Sequence, residues 1–96
     1  MFIERYNYKN GSFTVKMLKE SISEIQSILS DSVGPMAGFV IKEQMKAAGV
    51  DPVSPNKESL IKMVDLIEER CLLRLLTPNE AKATSRRMKE VINRHE

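Results

Sequence analysis

Residues 60–76 read LIKMVDLIEERCLLRLL, and this stretch decides the fold class of the chain. Its apolar residues recur at spacings of three and four, which is typical of one face of an α-helix. The residues on that face are Leu60, Met63, Val64, Ile67, Cys71 and Leu75. The end of the stretch, from Cys71 to Leu76, is apolar nearly all round. We therefore expect other elements to enclose this end of the helix on several sides.

The same spacing appears upstream in two further segments. An amphipathic helix is predicted over about residues 14–31, and Gly34-Pro35 interrupts it. Proline fits the first turn of a helix, so the next helix is predicted from Pro35 to Ala48, with Gly49 as a left-handed cap. The first helix has its apolar face at Leu18, Ile22, Ile25, Ile28, Leu29 and Val33.

Two capping signals delimit the later helices. Ser54-Pro55 combines a cap residue with a proline at the first helical position, which predicts the start of the third helix. Thr77-Pro78-Asn79-Glu80 matches a capping box, in which Glu80 reaches back to the cap residue. A fourth helix is predicted over about residues 78–93. Its inward face comprises Ala81, Thr84, Met88, Val91 and Ile92.

These patterns predict an all-α fold, a compact bundle of about four helices in a single domain at 13–96. Residues 1–12 are interpreted as an N-terminal arm. Tyr6 and Tyr8 alternate with polar residues ahead of Asn10-Gly11, the strongest short-range signal for a β-hairpin. An isolated hairpin is marginal in water, so strand and coil both remain open for the arm.

Composition limits the class of protein. The chain has 96 residues, 42% of them hydrophobic and 29% charged, with a net charge of +2. This is the composition of a globular protein. No stretch of the sequence is long and apolar enough to span a membrane, and no signal peptide is recognised. A single cysteine is typical of a protein in a reducing compartment. We therefore expect a cytoplasmic protein that does not bind a membrane.

Catalytic chemistry lacks its usual groups. His95 is the only histidine and the penultimate residue, where a general base would be badly held. Cys71 lies on an apolar face, which favours an inert thiol over a nucleophile. A structural zinc site needs four Cys or His ligands, and the chain has one cysteine and one histidine. The acidic residues of the third helix alternate with lysine and arginine, which is typical of a solvent-exposed charged face and not of a metal site. We expect no enzyme activity, no metal and no cofactor.

Phe39 is the clearest candidate for a binding residue. On a helical wheel it falls among Lys42, Glu43 and Lys46, on the charged side of the second helix. An aromatic side chain ringed by charges is typical of an interface anchor. The alternative is that the arm or the fourth helix buries Phe39. The arm itself, with Tyr6 and Tyr8, could pair with a second copy or with a partner's sheet edge, which favours a homodimer.

The run from Gly34 to Lys42, Gly-Pro-Met-Ala-Gly-Phe-Val-Ile-Lys, resembles part of a family of small helical domains. These are found at the C-terminal ends of bacterial signalling proteins, including serine/threonine kinases. The resemblance covers about nine residues, and Gly38 departs from the bulkier residue usual in the family. A later helix with Leu60, and a final helix with Arg86 or Arg87, follow in a similar order. The resemblance implies a free-standing accessory domain in signalling.

The leading prediction is therefore a non-catalytic adaptor or regulatory module that docks on an unidentified protein through Phe39 and the arm. The alternative is a small nucleic-acid-binding regulator that uses the last helix. Residues 77–96 carry the whole charge excess, five basic against three acidic residues. The basic residues are Lys82, Arg86, Arg87, Lys89 and Arg94. Such a mild bias is far from the dense basic stripe that binding to many phosphates requires.

Overall fold

The structure, a computed structural model, describes the backbone of residues 2–94 and the side chains of residues 16–94. It is all-α, as predicted, and the described residues contain no strand. The helices are α1 (Phe2–Val33), α2 (Ala37–Ala48), α3 (Lys57–Ile67), α4 (Leu73–Leu75) and α5 (Pro78–Arg94). A 3-10 turn (Gly34–Met36) precedes α2, and a π-helical segment (Glu68–Leu72) joins α3 to α4. The described chain therefore has more helical segments than the four helices expected.

The N-terminal arm differs from its expected form. Helix α1 begins at Phe2, so residues 2–12 belong to it, and Asn10-Gly11 forms no turn. Two physical effects account for this result. A two-stranded hairpin with nothing packed on it is only marginally stable. A helix that is already nucleated gains one hydrogen bond for each residue added to its end. The extension was not predicted because the apolar stripe of the helix does not continue into residues 2–12.

Glycines with positive φ delimit α2 at both ends. Gly34 has φ 71° and begins the 3-10 turn that contains Pro35, so α2 starts at Ala37 and not at Pro35 as predicted. Gly49 has φ 73° and its N–H donates to the Lys46 carbonyl, while Val50 N–H donates to the Met45 carbonyl at 2.9 Å. This is the left-handed cap that the sequence predicts.

The predicted start of α3 is two residues too early. Asn56, not Ser54, is the cap residue, because its Oδ1 accepts a hydrogen bond from the Ser59 N–H at 2.8 Å. Ser54 is exposed in the preceding loop, whereas Pro55 is buried. Asparagine is as good a helix cap as serine, so sequence preference alone does not separate the two positions.

The capping box at the start of α5 is confirmed. Glu80 Oε1 accepts from the Thr77 N–H at 3.2 Å, and Thr77 Oγ1 accepts from the Glu80 N–H at 3.2 Å. The reciprocal pair satisfies two donors that a helix end otherwise leaves without partners. It fixes the sharp turn after Leu76.

The core lies where α1, α2, α3 and α5 meet. The whole predicted inward face of α5 is buried, from Ala81 to Ile92. On α1 the predicted face is buried at Leu18, Ile25 and Leu29, with its remaining members packed against the core. The buried residues of α2 are Ala37, Ile41 and Ala48, and those of α3 are Leu60, Met63, Val64 and Ile67.

Three contacts give the relative directions of the helices. Arg70 Nη1 donates to Gln44 Oε1 at 3.3 Å, which joins the π segment to the middle of α2. Arg94 Nη2 donates to Glu24 Oε2 at 2.9 Å, which joins the end of α5 to the middle of α1. Leu76 shares a cavity with Asp31 at the end of α1. The end of α4 therefore lies at the same end of the molecule as the start of α2.

Candidate partner-binding surface

Phe39 is an exposed side chain of α2. Its exposed fraction is 61%, so of the two possibilities left open by the sequence, the structure places it on the surface. The cause is the spacing of the buried residues of α2, since Ala37, Ile41 and Ala48 direct the opposite side of the helix outward. Lys42, Glu43 and Lys46 are exposed as well.

The π-helical segment changes which residues of the third predicted helix are buried. Ile67 and Leu72 are both 0% exposed, although they are five positions apart. In a regular α-helix the residue four positions on, Cys71, would take the place of Leu72. Instead Cys71 is only half-buried, and Leu75 is 64% exposed. Cys71 still packs against the core from the edge of the buried face. The prediction that Leu75 continues the buried face is wrong, because the extra residue in the π turn rotates the helix beyond it.

Four of the five large hydrophobic side chains found exposed in residues 16–94 lie at one end of the molecule. They are Met36, Phe39, Leu73 and Leu75. Phe39 precedes Gln44 by five residues, and Leu75 comes five residues after Arg70. Both therefore lie on the same side of the Gln44–Arg70 contact, toward the end of the molecule where α2 begins. The fifth, Val53, lies in the loop at the far end of α2.

Met36 departs from expectation. In a regular α-helix that began at Pro35, Met36 would lie on the inward face beside Ala37, yet it is exposed in the structure. It belongs to the 3-10 turn, whose three residues per turn do not follow the α-helical angles used for the wheel. A regular helical period therefore does not identify Met36 or Leu75 as a surface residue.

Charges of both signs lie on these two segments. Lys42, Glu43 and Lys46 on α2 are exposed, as are Glu69, Arg70 and Arg74 on the opposing segment, where Glu68 is half-buried. None of these four cations forms an ion pair with an acidic residue in the described side chains, 16–94. Arg70 donates to the neutral Gln44 instead.

The cations of α5 divide into two groups. Lys89 Nζ lies 2.6 Å from Asp65 Oδ1, and Arg94 is paired with Glu24. Lys82, Arg86 and Arg87 are exposed and have no ion-pair partner within the described residues. Two of the five residues considered for nucleic-acid binding are thus already engaged by carboxylates of neighbouring helices.

Clefts run along the seam between α1 and α5. One has a volume of about 620 Å³ and is lined by Ile28, Val91 and Arg94, among others. A second, of about 350 Å³, is lined by Asp31 and Thr84. Arg87 lines both. Their charged linings combine acidic and basic residues, so they do not select an anion or a cation.

The remaining candidate residues from the sequence are Tyr6, Tyr8, His95 and Cys71. The side chains of Tyr6 and Tyr8, and the whole of His95, lie outside the described residues. Partial burial raises the pKa of the Cys71 thiol, which lowers its thiolate fraction at neutral pH.

In the described part of the chain, no cluster of histidine, cysteine and acidic residues is arranged to hold a metal ion. Nor does any described helix have the length and apolar character needed to cross a membrane.

Comparison with known proteins finds no matching family model, no similar curated protein and no similar solved structure.

Proposed function

We propose that this chain is a non-catalytic protein-interaction module, an adaptor or regulatory domain that docks on a partner protein through Phe39 and its neighbours. The observation that carries the proposal is the exposure of Phe39 together with three other large apolar side chains at one end of the molecule. Large exposed apolar clusters are uncommon on monomeric proteins and mark interaction sites. The resemblance of residues 34–42 to accessory domains of bacterial signalling proteins supports a role in signalling, which we place in the cytoplasm.

The test compares two aspartate substitutions of exposed apolar residues. Phe39→Asp should prevent a partner from co-isolating with the tagged protein from extracts of its native cells. Val53→Asp changes an equally exposed residue at the other end of α2, and should leave co-isolation unchanged. Circular dichroism of both variants checks the fold. If Phe39→Asp retains the same co-isolated proteins as the wild type, the proposal is wrong.

A homodimer remains part of the proposal. Pairing of strands from two arms is not its route, because residues 2–12 are helical. Light scattering after size exclusion measures the mass directly. A dimer that becomes a monomer on removal of residues 1–11 supports assembly through this part of α1, whereas a wild-type chain that is already monomeric removes the dimer.

Nucleic-acid binding is retained as the second candidate because Lys82, Arg86 and Arg87 are exposed and unpaired in the described chain. Three free cations predict weak, salt-dependent binding to random duplex DNA or RNA. Changing all three to glutamine should abolish that binding without affecting Phe39-dependent co-isolation. Absence of duplex binding at low salt would eliminate this candidate.

A further inference from the structure

We propose that the first half of α1 is the contact between two copies of this chain, which pair through antiparallel α1 helices over residues 2–14. This inference rests on the homodimer in the proposed function, and it adds the residues that meet and the direction in which they run. Three features of the structure carry it: the length of α1, an uncharged apolar face on its first half, and the place where α5 ends.

The first half of α1 projects from the bundle. Helix α1 has 32 residues and is about 47 Å long, whereas α2 has 12 residues and α5 has 17. Among the side chains of α1 that the structure describes, Leu18 is the buried one nearest the N-terminus. The chain measures 53 Å in its longest dimension and only 22 and 20 Å in the others. About 20 Å of helix therefore extends beyond the buried core.

The local sequence does little to stabilise this projecting part. Residues 2–15 include Asn10-Gly11, and glycine is among the least favourable residues in a helix interior. Helical segments of fewer than about 12–15 residues are marginal in water when nothing packs on them. A packing partner therefore adds the stability that the local sequence lacks.

The apolar residues of the projecting part share one face of the helix. At about 100° per residue, Phe2, Tyr6 and Phe13 fall within about 40° of one another around the helix axis. Met17 adjoins them. This face is turned by about a third of a circle from the face that Leu18 and the following buried residues of α1 direct into the core. The core of the same chain is therefore not the partner of this face.

Helix α5 lies on the same face further along α1. Arg94, the last residue of α5, donates to Glu24 at 2.9 Å, and Glu24 follows Tyr6 by about five complete turns of helix. Thr84 shares a cleft with Asp31, so α5 runs antiparallel to α1 and toward the projecting part. Because α5 ends at Arg94, the face continues toward the N-terminus of α1 past the end of α5.

The position of α5 selects the direction of pairing. A second α1 that lay parallel on this face would run on to Glu24 and Ile28, where α5 already lies. An antiparallel second α1 overlaps only the projecting residues 2–14 and then leads away from the first bundle. The two bundles are then at opposite ends of the dimer and do not collide.

The face is suited to contact with a second copy of itself. A two-fold axis brings the same surface of both copies together, so like charges on it would oppose binding. The positions on this face between Phe2 and Met17 are uncharged, and they are Ile3, Tyr6, Asn10 and Phe13. Three aromatic residues from each copy, at roughly 150–250 Å² each, remove about 900–1,500 Å² from water. A specific interface needs about 1,000 Å².

The experiment measures the mass of the full chain by light scattering and its longest dimension by small-angle X-ray scattering. We expect a dimer about 85 Å long, because two chains of 53 Å overlap by about 20 Å. Tyr6→Asp and Phe13→Asp should each weaken dimerisation at least about a hundredfold, since both copies carry the change. Tyr8→Asp is the matched control and should leave the dimer intact, because position 8 lies on the opposite side of the helix. Urea unfolding monitored by circular dichroism checks that each variant keeps its bundle.

The outcomes separate this inference from the proposed function. A dimer that persists in Tyr6→Asp and Phe13→Asp would overturn the inference, as would one that Tyr8→Asp dissociates just as strongly. A dimer whose longest dimension stays close to the 53 Å of one chain would overturn the antiparallel direction. These results leave the homodimer of the proposed function standing. A chain that is monomeric removes the homodimer and this inference together, while docking through Phe39 is judged separately by co-isolation.

Discussion

Ile67 and Leu72 are both completely buried although five positions separate them, a spacing that a regular α-helix does not place on one face. The π-helical turn over Glu68–Leu72 accommodates the extra residue and returns the chain to the core. The residues beyond the turn are rotated relative to a continuous helix. The exposure of Leu75 is a consequence of this rotation.

Deleting one residue from the π turn should be tolerated. Glu69 is exposed, and its removal brings Leu72 to four positions after Ile67, the normal α-helical spacing. We expect the free energy of unfolding in urea to change by less than about 1 kcal/mol.

The matched control removes another exposed charged residue, Arg86, from regular helix in α5. This deletion rotates Met88, Val91 and Ile92 away from the core and should lower the free energy of unfolding by at least about 4 kcal/mol. Equal losses for the two deletions would show that the π turn is not a one-residue insertion in an otherwise continuous helix.

Two leucines three positions apart should differ sharply in their contribution to stability. Leu72→Ala removes a fully buried side chain and should lower the free energy of unfolding by about 3 kcal/mol. Leu75→Ala shortens an exposed side chain and should lower it by less than about 1 kcal/mol. Urea titration monitored by circular dichroism measures both. A regular helical period would bury Leu75 and not Leu72, so it predicts the larger loss of unfolding free energy for Leu75→Ala. That result would contradict the structure.

The sequence was sufficient for those parts of the fold that depend on local signals. The caps at Gly49 and Thr77 were predicted because each uses a residue with a specific conformational or hydrogen-bonding property. The inward face of α5 was predicted because its period is regular. Burial of Leu72 in place of Cys71 was not, because both residues are apolar and only the packing of the whole chain decides between them.

The candidate site was predicted only in part. Phe39 was singled out because a helical wheel places it among charged residues. A helical wheel describes a single helix, so it does not show whether another element covers the side chain. Met36 and Leu75 were missed because they lie in or after non-α turns, where angles of about 100° per residue no longer apply. Leu73 was missed because the apolar end of the third predicted helix was expected to be enclosed on several sides, yet Leu73 is exposed. The hairpin signal Asn10-Gly11 failed because nothing in the described chain supplies a sheet for it to join.

The cap of α3 offers a second pair of matched substitutions. Asn56→Ala removes the acceptor of the Ser59 N–H and should lower the free energy of unfolding by about 1 kcal/mol. Ser54→Ala, at the position that the sequence first suggests, should change it by less than about 0.5 kcal/mol, because Ser54 is exposed outside the helix. A larger effect at Ser54 would mean that the helix starts two residues earlier.

Cys71 should react slowly with thiol reagents in the folded protein. Desolvation raises the pKa of its thiol, so at a given pH the reactive thiolate is scarcer than in the unfolded chain. The rate of alkylation by iodoacetamide should rise with pH, and its midpoint should lie at higher pH in the folded protein than in urea. The chain has one cysteine, so the reaction reports this site alone. Coincident midpoints would contradict the half-buried position.

Phe39 and Leu75 are expected, above all, to stabilise a complex and not the fold. The most direct measurement is the dissociation constant of the main co-isolated partner protein, determined by titration calorimetry for Phe39→Ala, Leu75→Ala and Val53→Ala. We predict at least tenfold weaker binding for the first two, about 1.4 kcal/mol each, with no change for Val53→Ala. Unchanged affinity in all three variants, or unfolding caused by Phe39→Ala, would contradict the account.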